Sequence, residues 1–358
     1  MKGTMKAWVF YEPNKMEWEE VDIPQLAPDE VLVRIKACGI CGSDIAYYWG
    51  NASLETADGK GPLILGHEMS GEIVELGELP KQLGLFKIGD RVAIDPVQYC
   101  NACDLCKQGQ VNLCENKTVL GVSVNGAFAE YMKTKYTSMF KLPENVSYEQ
   151  GAFAEPMADA VYALQNLEVT LGDFCVVIGP GPIGLAQANI IKSAGAGTLV
   201  VIGTRDYRLE IAKKNGADHV FNLSDKKSRY YTADVVKEID RLTGGKMADR
   251  VLVSTGALAA MDLPFQISGR RSNIVFFGLP GDKDVIKVPA AQTIFWDKRI
   301  NFSWLAPLTY PKALNAISSG LVDVDSLITH NFKLEELKEG LEKVKNRVGN
   351  PLKALVIP

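Results

Sequence analysis

Cys175-Val176-Val177-Ile178 is a short run of apolar, β-prone residues. Gly179-Pro180-Gly181-Pro182-Ile183-Gly184 follows it directly, at the opening of a helical pattern from Ile183 to Ala194. A buried strand that turns on glycines into a helix begins a βαβ unit, and it commits the chain around it to a parallel sheet covered by helices. The spacing is G-x-G-x-x-G. In that setting Gly179 permits the sharp turn, Gly181 lets a pyrophosphate approach the backbone, and Gly184 allows the helix to pack closely on the strand. With Pro182 and Ile183 between them, these glycines predict a dinucleotide cradle at the positive end of a helix. The pattern continues in kind. Leu199-Val200-Val201-Ile202 reads as a second strand, 207–215 as a helix, and strand runs recur at 250–253 and 274–277.

The end of the second strand bears on which dinucleotide is bound. An NAD site places an acid about 20 residues beyond the turn, to hold the ribose 2′-hydroxyl. Gly203-Thr204-Arg205 stands there instead. A small residue leaves room for a 2′-phosphate and Arg205 can pair with it, so NADP is expected. NAD is the alternative, if Asp206 reaches back to the ribose and Arg205 is a solvated surface charge.

The first 155 residues have a different texture. Val31, Val33, Ile35 and Ala37 alternate with Leu32, Arg34 and Lys36, the pattern of a half-buried strand, and turn signals recur at Glu12-Pro13-Asn14, Ala27-Pro28-Asp29 and Ile88-Gly89-Asp90. A compact, barrel-like β domain is expected there. At 358 residues the chain has room for two such cores. Its net charge of -4 argues against nucleic acid or an anionic membrane as partner, and no apolar run reaches membrane-spanning length. The N-terminal residues lack the apolar core of a signal peptide, so a cytoplasmic location is expected.

In that compartment the seven cysteines are not expected to form disulfides. Four of them, Cys100, Cys103, Cys106 and Cys114, are spaced C-x2-C-x2-C-x7-C. Four thiolates on one short loop suit a closed, tetrahedral, structural zinc, with an iron–sulfur cluster as the lesser alternative. A second set of ligand types is scattered along the chain. Gly66-His67-Glu68 puts a histidine and an acid side by side between Pro62-Leu63-Ile64-Leu65 and Ile73-Val74, at the expected close of a strand. Such a pair needs something positive to satisfy it, and a metal ion is one candidate; a lone core histidine is the other. Cys41 lies upstream, Glu155 ends an apolar segment downstream, and Cys38 reads as core packing.

Taken in order, Cys41-Gly42-Ser43-Asp44, Gly66-His67-Glu68-x-x-Gly71, the four-cysteine loop, Glu155-Pro156 and the Gly179–Gly184 turn resemble the zinc-dependent medium-chain dehydrogenases over essentially the whole chain. Cys38-Gly39-Ile40-Cys41-Gly42-Ser43-Asp44 and the Glu-Pro pair look most like the sorbitol (polyol) and threonine dehydrogenase branch. The resemblance implies an α/β chain, with a GroES-like catalytic domain over 1–156 and 300–358 split by a Rossmann domain over 157–299. It implies a catalytic zinc on Cys41, His67 and Glu68, with Glu155 as an exchangeable ligand, and hence two zinc ions per chain. Ser43 starts a proton relay, Tyr47 lines the substrate pocket, Arg208 contacts the adenosine half of the cofactor, and Gly278-Leu279 pass near the nicotinamide. The activity implied is hydride transfer between a secondary alcohol, polyol or sugar-like, and NAD(P). An amino alcohol of the threonine type is the alternative substrate, and a non-catalytic dinucleotide-binding member is the rival. Homodimers or homotetramers formed through the Rossmann domain are also implied.

The chain departs from the family pattern in three places. Ala46 stands where many relatives carry a relay histidine. Pro80 and an apparent insertion at 81–85 alter the segment after Gly77. The region Asn301-Phe302-Ser303 lacks the arginine with which polyol enzymes hold sugar hydroxyls. Tyr48, Trp49, Trp296, Phe302 and Trp304 are candidates for an aromatic wall in its place, or for plain core.

Overall fold

The computed structural model describes residues 2–281 and 283–358. In chain order, the elements that matter to the site are β1 (Glu30–Ile40), α1 (Gly42–Tyr48), β2 (Glu68–Leu76), α2 (Ala154–Leu167), β3 (Phe174–Ile178), α3 (Pro182–Ser193), β4 (Thr198–Gly203), α4 (Asp206–Lys214), β5 (His219–Asn222), β6 (Ala248–Val253), β7 (Ser268–Phe276), β8 (Arg299–Phe302) and β9 (Lys353–Ile357). No helix among the described residues is long and apolar enough to cross a membrane.

The chain divides into two compact units. One comprises the residues up to Pro156 together with Tyr310–Ser318 and Val324–Pro358; the other comprises Met157–Thr309 and Ser319–Asp323. The first is the expected GroES-like β domain. Its seven-stranded sheet has β1 at the centre, with β2 antiparallel on one side and β9 antiparallel on the other. Val31, Val33, Ile35 and Ala37 are buried, as their alternation predicts, and so is Leu32, which the pattern assigned to solvent. A central strand covered on both faces has no solvent side at that point. Gly66-His67-Glu68 also differs from expectation. The strand directly before it is the two-residue Leu63–Ile64, and Gly66 (φ +90°) turns the chain so that Glu68 opens β2 rather than closing a strand.

The second unit holds a six-stranded sheet in the order β5-β4-β3-β6-β7-β8, with every neighbouring pair parallel. Counted from β3, this is the 3-2-1-4-5-6 order of the Rossmann fold, whose direction reverses between β3 and β6, the place where such sheets bind ligands. The chain does not leave this unit at 300. β8 pairs with β7 from Arg299 to Phe302, and the return to the β-rich unit comes at Tyr310.

Entry to the edge strand β8 is held by Lys298, whose Nζ donates to the Phe265 carbonyl and to Ser268 Oγ, both at 2.9 Å, and lies over the Trp296 ring. Burial pushes its pKa down to about 8. Between that value and the unfolded-state value the unfolded chain carries the extra proton, so this group favours the folded state increasingly as pH rises. The stability of the wild type relative to Lys298→Met should therefore grow from pH 8 to pH 10 in denaturant titrations. A difference independent of pH would show that the lysine is not desolvated.

Candidate functional site

β1 ends at Ile40 and Cys41 caps α1. The Asp44 carboxylate reaches back to accept the Cys41 backbone N–H at 2.8 Å, which fixes the first turn of the helix. On the neighbouring strand Glu68 lies opposite Gly39 in register, and any Cβ at position 39 would overlap the Glu68 carboxylate. The glycine is what lets the acid lie across β1. From the other side of β1, Lys353 of β9 meets it. Lys353 Nζ donates to Glu68 Oε1 at 2.6 Å, to Oε2 at 2.7 Å and to the Ile40 carbonyl at 3.4 Å, with the two side chains only 4% and 1% exposed.

One ligand atom each from Cys41, His67 and Glu68 lies within 4.8 Å of the others. Ser43 Oγ is 3.4 Å from His67 Nε2. His67 Nδ1 faces Asp44 Oδ1 at 3.6 Å, and neither of these buried atoms has a hydrogen-bond partner. Burial opposes a charge on His67, but Asp44, Cys41 and Glu155 outweigh it and push its pKa well up. Burial opposes the charge on Lys353 too, and Glu68 and Cys41 override it in the same way. Burial raises Asp44, against the pull of His67 and of the Cys41 amide, and raises the Cys38 thiol further still. A pocket that raises both bases it contains is short of positive charge. Lys353 supplies one. A divalent cation on the thiolate, imidazole and carboxylate of Cys41, His67 and Glu68 would supply the rest, and Asp44 is placed to hold the far nitrogen of the histidine. Glu155, in the first turn of α2, acts on this group through its charge without joining the three converging donors.

Tyr47 lies on the same helix as Ser43. Burial, with Asp44 and Glu55 adding to it, pushes its phenol up to about 12, so it stays a neutral hydrogen-bond donor near neutral pH. The five aromatic residues do not assemble into one wall within either unit. Tyr48 meets Trp49 edge-on, and Lys345 lies 3.9 Å over the Trp49 ring. Trp296 carries Arg270 and Lys298 on its ring, Phe302 stacks on Phe276, and Trp304 is exposed.

The four-cysteine loop springs from a two-stranded ribbon, Val97–Gln98 with Thr118–Val119. All four sulfurs lie within 4.8 Å of one another, with Cys100–Cys106 and Cys103–Cys114 both at 3.9 Å. A disulfide needs about 2.05 Å. A tetrahedron with metal–sulfur bonds of about 2.3 Å has edges near 3.8 Å. Backbone N–H groups of Ala102 and Cys103 donate to Cys100 Sγ and hold its pKa down to about 6, while burial and the neighbouring thiols push Cys106 up to about 12. Such a quartet cannot carry four negative charges without a cation, and it has the size and shape for one.

In the second unit the glycine turn is as the spacing requires. Gly179 has φ +98°, a Cβ at Gly184 would overlap the Gly179 carbonyl, and a Cβ at Gly181 would meet nothing within 4 Å. That open face lies at the first residue of α3, where Gly181 caps the helix and Pro182 and Ile183 begin it. Gly203 ends β4, Thr204 is exposed, and Arg205 caps α4. Arg208 Nε donates to the Tyr207 hydroxyl at 2.7 Å. Gly278 and Leu279 follow β7, with Leu279 exposed.

Three residues central to the site escaped the sequence reading: Gly39, Asp44 as the partner of His67, and Lys353. Only Lys353 left a signal, as the single charge in the apolar stretch Leu352-Lys353-Ala354-Leu355-Val356-Ile357, where a buried lysine demands a buried acid.

Residues 27–144 match the alcohol dehydrogenase GroES-like domain, and residues 182–319 match the zinc-binding dehydrogenase domain. The chain is 33% identical to sorbitol dehydrogenase of Bacillus subtilis strain 168 over 357 residues, covering 99% of this chain and 97% of the relative. Its fold is similar to that of a protein of Sinorhizobium meliloti 1021 solved with NADP, with a TM-score of 0.90, 26% identity, and coverage of 99% of this chain and 100% of the other. It is similar also to an alcohol dehydrogenase of Escherichia coli CFT073 in complex with NADH, with a TM-score of 0.89, 28% identity, and coverage of 99% of both chains.

Removing one partner of the buried pair tests its place in the site. Lys353→Met should destabilise the metal-free protein by about 3–5 kcal/mol, because Glu68 is left buried and unpaired. Adding Glu68→Gln should recover much of the loss. Chemical denaturation of the single and double variants measures both, and independent, additive effects would show that the pair is not coupled.

Proposed function

The chain belongs to the zinc-dependent medium-chain dehydrogenases, and from that premise we propose that it interconverts a secondary, polyhydroxylated alcohol and its ketone with NADP. The observation that carries this reading is the convergence of Cys41, His67 and Glu68 in a buried pocket short of positive charge, beside Ser43. When bound, a zinc ion held there, with Glu155 as the exchangeable fourth donor, supplies a Lewis acid that lowers the pKa of an alcohol hydroxyl, and the nicotinamide supplies the hydride acceptor.

The chain's own residues do the remainder. Ser43 takes the hydroxyl proton; Ala46 has none to pass, so the route beyond Ser43 runs through solvent or another hydroxyl. Tyr47, held as a neutral phenol, donates to a further hydroxyl of the substrate. Asp44 orients His67, and Lys353 restrains Glu68 and offsets its charge. Cys100, Cys103, Cys106 and Cys114 hold a second zinc that stiffens their loop. The open face at Gly181 receives the pyrophosphate. The absence of an acid at Gly203-Thr204, with Arg205 and Arg208 next along the chain, supports a 2′-phosphorylated cofactor.

A second copy of the chain is the partner that fits the second unit. β8 is the edge of its sheet, and Ile294, Phe295, Phe302, Trp304 and Leu308 are exposed on and around it. An uncovered edge strand set among apolar side chains favours pairing with its own symmetry mate.

Metal analysis should find two zinc ions per chain. Cys41→Ser should lose one of them and at least about a hundredfold in turnover, whereas Cys114→Ser should lose the other. A panel of polyols, diols, sugars and amino alcohols, assayed with both cofactors, should show its highest kcat/KM for a polyol with NADP. A marked preference for NAD or for an amino alcohol would overturn that part of the reading. Phe302→Asp should shift the mass in solution toward the monomer, as measured by light scattering; a wild type that is already monomeric would remove the proposed interface.

A further inference from the structure

Asp206 opens α4, three residues beyond the end of β4 at Gly203, and is the first acid along the chain after the strand whose end holds an adenosine ribose in this fold. Its Oδ1 is already taken. Asn222 Nδ2 donates to it at 2.7 Å and Ser228 Oγ donates at 2.6 Å. Both donors are fixed by further bonds. Asn222, 1% exposed, sits at the end of β5 in register with Gly203, and its own Oδ1 accepts the backbone N–H groups of Ser224 and Asp225 at 2.9 and 3.0 Å. The amide is thus oriented with its nitrogen toward Asp206. Ser228, 9% exposed, accepts the Tyr230 N–H at 3.0 Å, which leaves its hydroxyl proton for Asp206.

We propose that Asn222 and Ser228 are positioning residues that hold Asp206 away from the ribose, and that this clamp sets the preference for a 2′-phosphorylated dinucleotide. The inference rests on the NADP reading above. A carboxylate free at this point does two things at once: it accepts hydrogen bonds from the ribose hydroxyls and repels a 2′-phosphate dianion. Two short hydrogen bonds on Oδ1 spread its charge and fix its direction, so Arg205, at the cap of α4, can pair with a 2′-phosphate without a competing acid. Arg205 alone does not secure this, since an unclamped Asp206 one residue away would pair with it.

The test isolates the ribose end from the chemistry. Binding of 2′,5′-ADP and of 5′-AMP to the zinc-loaded protein is measured by titration calorimetry, and the ratio of the two affinities is compared among variants. The wild type should favour 2′,5′-ADP. Ser228→Ala and Asn222→Ala should each lower that ratio by roughly tenfold, the low end of what one hydrogen bond to a charged group contributes. Ser228→Thr, which keeps the hydroxyl, should retain it, and in an Asp206→Asn background neither alanine variant should change it. If Ser228→Ala weakens both ligands equally, the residue is merely structural and the clamp is overturned while the NADP reading stands. A wild type that favours 5′-AMP overturns the NADP reading and the clamp with it.

Discussion

A lysine at the start of the last strand and a glutamate at the start of β2 meet across β1, both buried, with each carboxylate oxygen within 2.7 Å of the ammonium. Such a pair is costly to bury and persists only where both ions are hydrogen-bonded. Its geometry sets several demands on the rest of the β-rich unit. Position 39 must be glycine to let the carboxylate cross. β9 must add to the sheet antiparallel to β1 to deliver Lys353, and Gly66 must turn His67 and Glu68 into β2 in the right register. Cys41 then follows from the end of β1. The three candidate ligands are thus fixed by sheet register, on the rigid part of the unit rather than on a loop.

The same pocket suits the proposed cation. A thiol, an imidazole and carboxyl groups crowd a volume with little solvent, and Lys353 by itself offsets only one negative charge. The four-cysteine loop reaches the same condition by a different route, with its thiols spaced for a tetrahedron and their titration pulled apart to about 6 at one sulfur and about 12 at another. In the proposed reading one centre is closed by four sulfurs. The other would mix donor types and keep room for exchange, as a site that binds and releases a substrate requires.

What could be read in the sequence follows from how local each feature is. The glycine turn (179–184) and the cysteine quartet (100–114) each lie within one short segment, and their expected roles are read from spacing alone. Cys41, His67 and Glu68 are individually ambiguous, and only the family resemblance gathered them, because β1–β2 pairing is not written in any short segment. Lys353 lies 285 residues from its partner, and Gly39 is required by a side chain on a neighbouring strand. Neither relation has a local signature. The strand start at Glu68 and the burial of Leu32 depend on which strands flank β1, which alternation along one strand does not encode. The persistence of the second unit to Thr309 likewise reflects β8 pairing with β7, a partner 26 residues back by register.

Zinc-edge X-ray absorption of the purified protein reads directly whether one chain holds the two proposed metal centres of unlike chemistry. Two filled sites, one of four sulfurs and one of a single sulfur with nitrogen and oxygen, should average two to three sulfur neighbours per zinc at about 2.3 Å, together with a lighter shell near 2.0–2.1 Å. A spectrum of four sulfurs with no lighter shell would contradict the proposal, because the pocket of Cys41, His67 and Glu68 would then hold no zinc.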